Sequence, residues 1–373
     1  MRAAILGRKI VGALLLCVAP CVAPAVAAHG QTLTGGQTVG AGIATAPPPP
    51  RVPVPAPGTG ELMGMESELS EPTAMPPGVV NGPCTPSSSH PFPVVLVHGT
   101  FANENFSWQT LAPMLSDAGY CVFGLNYGAT EWTTYSGNHV YGIDLVERSA
   151  AELDSFVRQV VLPDTIEPDG THATKVDIVG HSQGGMMPRY MLEKTGDSTY
   201  PGLGDASYVH MLVGLAPSNH GADAYGIVPI FERLFGSDAW SFPQSTGCGA
   251  CGEQEAGSPF LTALNSEETA PGVLYYVIES EFDEVVTPAP SPQAALLGEW
   301  PSAYLHGTSN QVLNVRLQDQ CPTDATEHIG IIYDPVALQD VMNALENNSP
   351  IGSDPLSLPE PKCPPAVPPL VSG

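Results

Sequence analysis

Apolar residues in this chain follow two rhythms, and the rhythms alternate. The stretch "PVVLVHGT" (93–100) is a continuous apolar run closed by a glycine, the pattern of a strand buried on both faces. Trp108, Leu111 and Leu115 then recur at helical spacing and Gly119 follows them, which predicts a helix that ends there. "YCVFGLNYG" (120–128) reads as a second strand, and Val146, Ala150, Leu153, Val157 and Val160 mark the apolar face of a long helix. Next come a strand over 175–179, a serine set between glycines and a helix running to Lys194. Further strands are predicted in "HMLVGLA" (210–216), "GVLYYVIES" (272–280) and "QVLNVRL" (311–317), and Leu338, Val341, Met342 and Leu345 signal a last helix. Strands alternating with helices imply an α/β fold with a mostly parallel central sheet and helices on both faces. Such sheets collect their chemistry at the carboxyl ends of the strands.

Both ends of the chain break this pattern. Arg2, Arg8 and Lys9 precede "IVGALLLCVAPCVAPAVAA", which closes in small residues near Ala28; residues 1–28 read as a signal peptide, and a secreted, extracellular protein is expected. Residues 29–78 are rich in Gly, Thr and Pro and read as a disordered or polyproline linker. A similar Pro-rich tail fills 349–373, which leaves 79–348 as one large domain. No later apolar run is long enough to span a bilayer, so no transmembrane segment is expected.

Beyond the leader stand Cys84, Cys121, Cys248, Cys251, Cys321 and Cys363. An even count in a secreted chain reads as three disulfides, with 15 pairings open. Pairing neighbours along the chain gives Cys84–Cys121, Cys248–Cys251 and Cys321–Cys363, the last stapling the tail back. Lys and Arg number 12 against 38 Asp and Glu, a net charge of −26. Such acidity disfavours polyanions, and nucleic acid is set aside as a partner.

The candidate chemistry sits in "KVDIVGHSQGGMM" (175–187). Gly180-His181-Ser182-Gln183-Gly184 falls between a predicted parallel strand and a helix, the context of a nucleophile elbow. A serine hydroxyl is a poor nucleophile until a histidine takes its proton, and that histidine needs an acid to hold its tautomer. In this type of fold the order is Ser, acid, His, with the acid after a late strand. Asp283, in "ESEFDEVVTP", fits best, with Glu281, Glu284 and Asp334 as competitors. Only His306 and His328 lie beyond Asp283; His306 precedes its strand and belongs to the wrong end of the sheet, so His328 is the candidate base. Amides to hold a tetrahedral oxyanion are expected from Gln183, which follows the nucleophile, and from Thr100 after the first strand, with Phe101 as fallback. The chain has no H-x-x-x-H helix, no Cys and His cluster at ligand spacing and no phosphate loop; no metal and no cofactor are expected.

In order along the chain, "PVVLVHGTFAN", "LAPML", "GYCVFGLNYG", "VDIVGHSQGGMMPRY", "LAPSNHG", "CGACGEQEAGSPFLTALN", "DEVVTP" and "NVRLQDQCPTDATEHIGI" resemble the secreted actinobacterial lipases and esterases of the lipase class 2 group. The resemblance covers about 84–345. It implies the α/β-hydrolase fold, with a lid-like helical insertion after the sixth strand and 79–348 as the catalytic domain. It also implies Ser182 as nucleophile, Asp283 as acid, His328 as base, and amides of Thr100 and Gln183 as the oxyanion hole.

Hydrolysis of carboxylic esters such as glycerides would follow, by a monomer that touches a lipid interface transiently. Phe101 and an apolar stripe with Tyr225, Phe231 and Leu234 are the expected acyl-chain contacts. Alternative readings are a cutinase-like polyester hydrolase, an acyltransferase on the same triad, and an inactive hydrolase-like binding scaffold.

Overall fold

The structure, a computed structural model, describes residues 59–194, 199–222, 248–346 and Cys363. The segment read as a signal peptide, with Tyr225, Phe231 and Leu234, lies outside the described residues.

Six parallel strands form one sheet: β1 (Val94–Val97), β2 (Val122–Leu125), β3 (Val176–His181), β5 (Val209–Leu215), β6 (Leu274–Glu279) and β7 (Val312–Arg316), in the order β2-β1-β3-β5-β6-β7. A four-residue strand, β4 (Pro201–Gly204), falls outside that order. Side chains alternate between the two faces, as the pleat requires. Val95, Val97, Phe123, Ile178, Leu212 and Val277 join one core, under the helices Val146–Phe156 and Gln183–Glu193. Val94, Leu96, Val122, Val179, Val213 and Ile278 join the other, under Leu111–Ala118 and Pro335–Glu346. Two covered faces explain why the strands read as unbroken apolar runs.

From β1 the chain steps outward to β2 and then returns to the other side of β1 as β3. The order therefore reverses between β1 and β3, and the crevice beyond their carboxyl ends is where a ligand is expected in an open α/β sheet. All three disulfides join the pairs expected from chain order: Cys84–Cys121, Cys248–Cys251 and Cys321–Cys363.

Four expectations need correction. The helix predicted through Trp108 is two helices, Glu104–Ser107 and Leu111–Ala118, with Trp108 closing the first; Asn103 caps that first turn by accepting the Phe106 N–H at 2.8 Å. In the long helix, Val157–Val161 is a π turn, and Val161 rather than Val160 is fully buried; the i→i+5 turn rotates the apolar face by one position.

Residues 59–70, read as linker, form a helix. "TGELMGMESELS" holds good helix formers, and Gly64 lies so close to Tyr333 and the Phe106 carbonyl that a Cβ would collide with them. That tertiary contact leaves no local signature. Finally, the stretch read as a lid-like insertion after the sixth strand falls between β5 and β6, and its residues 223–247 lie outside the described residues.

Candidate active site

Strand β3 ends at His181, and the helix Gln183–Glu193 starts two residues later. Ser182 makes the turn between them at φ 54°, ψ −121°. That is a left-handed conformation which costs a side-chain-bearing residue strain. The flanking glycines have a steric cause: a Cβ on Gly180 would collide with the Gly184 carbonyl, and one on Gly184 with the carbonyls of Val97 and His98. The strand, the turn and the helix are thus packed backbone to backbone, and Ser182 is lifted to the rim of the β1/β3 crevice.

Beyond β6, Asp283 and His328 meet. Nδ1 of His328 lies 2.7 Å from Oδ2 of Asp283, with both side chains buried. The other Asp283 oxygen accepts the N–H groups of Val285 and Val286 at 2.7 and 2.8 Å, which fixes the carboxylate plane. Burial opposes the charge of Asp283, but His328, the Val286 N–H and Glu279 outweigh it and hold the carboxyl below its ordinary range. Burial likewise opposes a charged His328, yet Asp283, with Glu284 and Glu327 behind it, holds the imidazole above its ordinary 6.5.

Each competitor for the acid has another task. Asp334 accepts the N–H groups of Val336 and Ala337 and so caps the last helix. Glu281 faces Arg316 at 3.5 Å. Glu284 accepts the backbone N–H of His328 at 3.3 Å, steadying the histidine's main chain. His306 lies with His220 and Glu268, away from this pair.

Thr100 and Gln183 come together across the crevice. The Thr100 hydroxyl donates to Gln183 Oε1 at 2.8 Å and accepts from Gln254 Nε2 at 2.9 Å. Gln254 is in turn held by the Ser218 hydroxyl at 2.8 Å. Among the described residues neither the Thr100 amide nor the Gln183 amide donates to a backbone carbonyl. Phe101 differs: its N–H donates to the Tyr141 carbonyl at 3.0 Å, which removes it as fallback oxyanion donor. Its ring is buried, on a backbone at φ 62°, and it lines the pocket.

One pocket holds Ser182, His328 and Thr100 on a common wall. Phe101, Ala102, Phe106, Ala222, Val285 and Ile329 supply its apolar surface. An apolar slot beside a hydroxyl, an imidazole and free amides suits an acyl group whose carbonyl is to be attacked.

Several supporting residues carry no clear signal in the sequence. His181 donates Nε2–H to the His328 carbonyl at 2.9 Å, and burial beside His328 pushes its pKa down to about 3, so it stays neutral. Ser280 donates its hydroxyl to the Thr326 carbonyl at 2.5 Å, pinning the histidine loop to the acid loop. Glu279, fully buried, accepts the Ser280 N–H at Oε1, while its Oε2 meets no donor. Burial, with the charge of Asp283 added, pushes its pKa well above the carboxylate range. Only His181 had a local hint, its place before the serine; the rest depend on how β6 and the following loops fold together.

The chain matches the model of the lipase (class 2) family over residues 91–328. Among solved structures, the mature form of the Bacillus licheniformis lipase BlEst2 is similar at 16% identity and TM-score 0.44, over 70% of this chain and 94% of that one. Its propeptide form aligns at 15% identity and TM-score 0.46 over 73% of this chain, which spans 54% of that one. A monoacylglycerol lipase of Paleococcus ferrophilus aligns at 14% identity and TM-score 0.42, over 72% of this chain and 97% of that one. No curated protein matches. The family match takes in β1, β3, the serine elbow, Asp283 and His328, and the chain belongs to the lipase (class 2) family, a serine hydrolase of the lipase and esterase type.

Proposed function

We propose that this protein is a secreted carboxylic-ester hydrolase that works through Ser182, Asp283 and His328 and takes acyl esters such as glycerides. The observation that carries the reading is the 2.7 Å contact of buried Asp283 with His328 Nδ1, beside a serine on an elbow in the same pocket. With Nδ1–H bound to Asp283, the lone pair of His328 Nε2 is free to take the Ser182 proton as Oγ attacks the ester carbonyl. The carbonyl oxygen becomes an oxyanion, held by the amides of Thr100 and Gln183. As the tetrahedral centre collapses, His328 gives the proton to the departing alcohol and an acyl-Ser182 remains. Water then repeats the sequence, with His328 taking its proton, and the free acid leaves.

The apolar wall of Phe101, Phe106, Val285 and Ile329 favours an aliphatic acyl chain over a charged one. Three disulfides support an oxidising, extracellular setting, and no helix among the described residues is long and apolar enough to cross a membrane.

A fluorophosphonate probe tests the assignment: the intact protein is expected to take one label, located on Ser182 by peptide mass spectrometry. Labelling at another serine, or none on freshly purified active protein, would refute it.

A further inference from the structure

Away from the serine pocket, three loops bring His220, Glu268 and His306 together. They stand 48 and 38 positions apart in the chain, so spacing gave no sign of the cluster. One ligand-type atom from each, a ring nitrogen from the histidines and a carboxylate oxygen, lies within 4.8 Å of the other two. Glu268 Oε1 is the shared point, 2.8 Å from His306 Nδ1 and 3.4 Å from His220 Nε2.

The surroundings prepare each donor. Glu268 Oε2 accepts the backbone N–H of His306 at 2.5 Å, which turns Oε1 toward the two rings. The Glu268 carbonyl is held by buried Arg189 at 3.2 Å. His220 is anchored to Ser302 twice: its backbone N–H donates to the Ser302 carbonyl at 2.9 Å, and ring Nδ1 lies 3.1 Å from the same oxygen. Trp300 stacks on the His306 ring with centroids 4.2 Å apart.

The contact with the Ser302 carbonyl sets which ring nitrogen faces Glu268. A carbonyl only accepts, so Nδ1 of His220 donates to Ser302 and Nε2 is the ring nitrogen left facing the Glu268 carboxylate. Nε2 of His220 and Oε1 of Glu268, 3.4 Å apart, are thus placed to share one cation. A backbone carbonyl on the far nitrogen is also how metal-bound histidines are usually oriented.

We propose that His220, Glu268 and His306 bind one divalent cation of the zinc class, with a fourth position open to water. Two imidazole nitrogens and a carboxylate oxygen suit such an ion, at about 2.0–2.2 Å from each donor. The side chain of His306 is 59% exposed and turns inward to close the shell. Bound there, the ion ties the loop after β5 to those that precede β6 and β7.

Zinc titration into the EDTA-stripped, tag-free full chain, followed by calorimetry, tests this. One Zn²⁺ per chain is expected at micromolar or tighter Kd, with thermal stability rising on addition. His306→Ala and Glu268→Gln should each weaken Kd at least about tenfold. Cobalt should give the visible absorption of a tetrahedral site and quench Trp300, an effect lost in Trp300→Phe. If Glu268→Gln does not fold, the exposed His306→Ala decides the matter, provided its melting in EDTA matches the parent. No stoichiometric uptake, a millimolar Kd, or uptake unchanged in the variants would overturn the proposal and leave an ordinary imidazolium–carboxylate contact.

Discussion

His328 is faced by Asp283, Glu284 and Glu327 and by the neutral ring of His181. The carboxylates outweigh burial and favour its protonated form. A general base has to be neutral, so activity is absent where His328 is charged and appears as pH rises through its pKa. The acid limb of kcat/KM is therefore expected to have its midpoint above 6.5. Glu284→Gln removes one of the raising charges while keeping an acceptor for the His328 N–H, and should move that midpoint to lower pH in a pH–rate series. Asp283→Asn should lower kcat by about 10⁴ in ester hydrolysis, because an amide in that place no longer holds the productive tautomer. The contact of Asp283 with His328 was legible in the sequence, because their order after a strand and before the last helix left few candidates for such a pair. His181, Glu279 and Ser280 were not, since their roles are hydrogen bonds between segments far apart in the chain.

At the level of elements, strands came through best. Runs such as "VVLV" in β1 and "VDIVGH" in β3 are buried along their whole length, and burial on both faces writes itself into composition. Helices came through less well where the backbone departs from a plain α-helix. The break at Trp108 and the π turn at Val157–Val161 preserve apolar spacing while changing which residue points inward. The helix Thr59–Ser70 was hidden because a glycine at a close contact with Tyr333 looks like linker composition. The elbow makes the sharpest prediction here. Gly184→Ala puts a methyl group against the carbonyls of Val97 and His98, so the turn has to move. A stability loss of about 1–3 kcal/mol is expected in denaturant titration, and a displaced Ser182 should lower kcat/KM by about 10².

The molecule as a whole is acidic, with 38 Asp and Glu against 12 Lys and Arg, and disulfides fasten its segments. The pair Cys321–Cys363 spans 42 positions and reaches the loop that carries His328. Replacing both with serine is expected to cost about 3–4 kcal/mol by the chain-entropy model, seen as a lower Tm, with kcat at low temperature close to the parent's because Ser280 and Glu284 still pin the loop. Class of fold, the succession of strands and helices and the position of the serine elbow could be read along the chain; the order of the strands within the sheet was not read there. The pocket wall of Phe106, Val285 and Ile329 could not be read either, because it exists only once the loops of β1, β6 and β7 converge.

The proposed chemistry turns on nucleophilic attack by Ser182. The most direct measurement is the steady-state hydrolysis of p-nitrophenyl butyrate by Ser182→Ala, with circular dichroism and Tm matched to the parent. Loss of kcat on the order of 10⁶ is the predicted result, whereas a folded variant within about tenfold of the parent rate would contradict it.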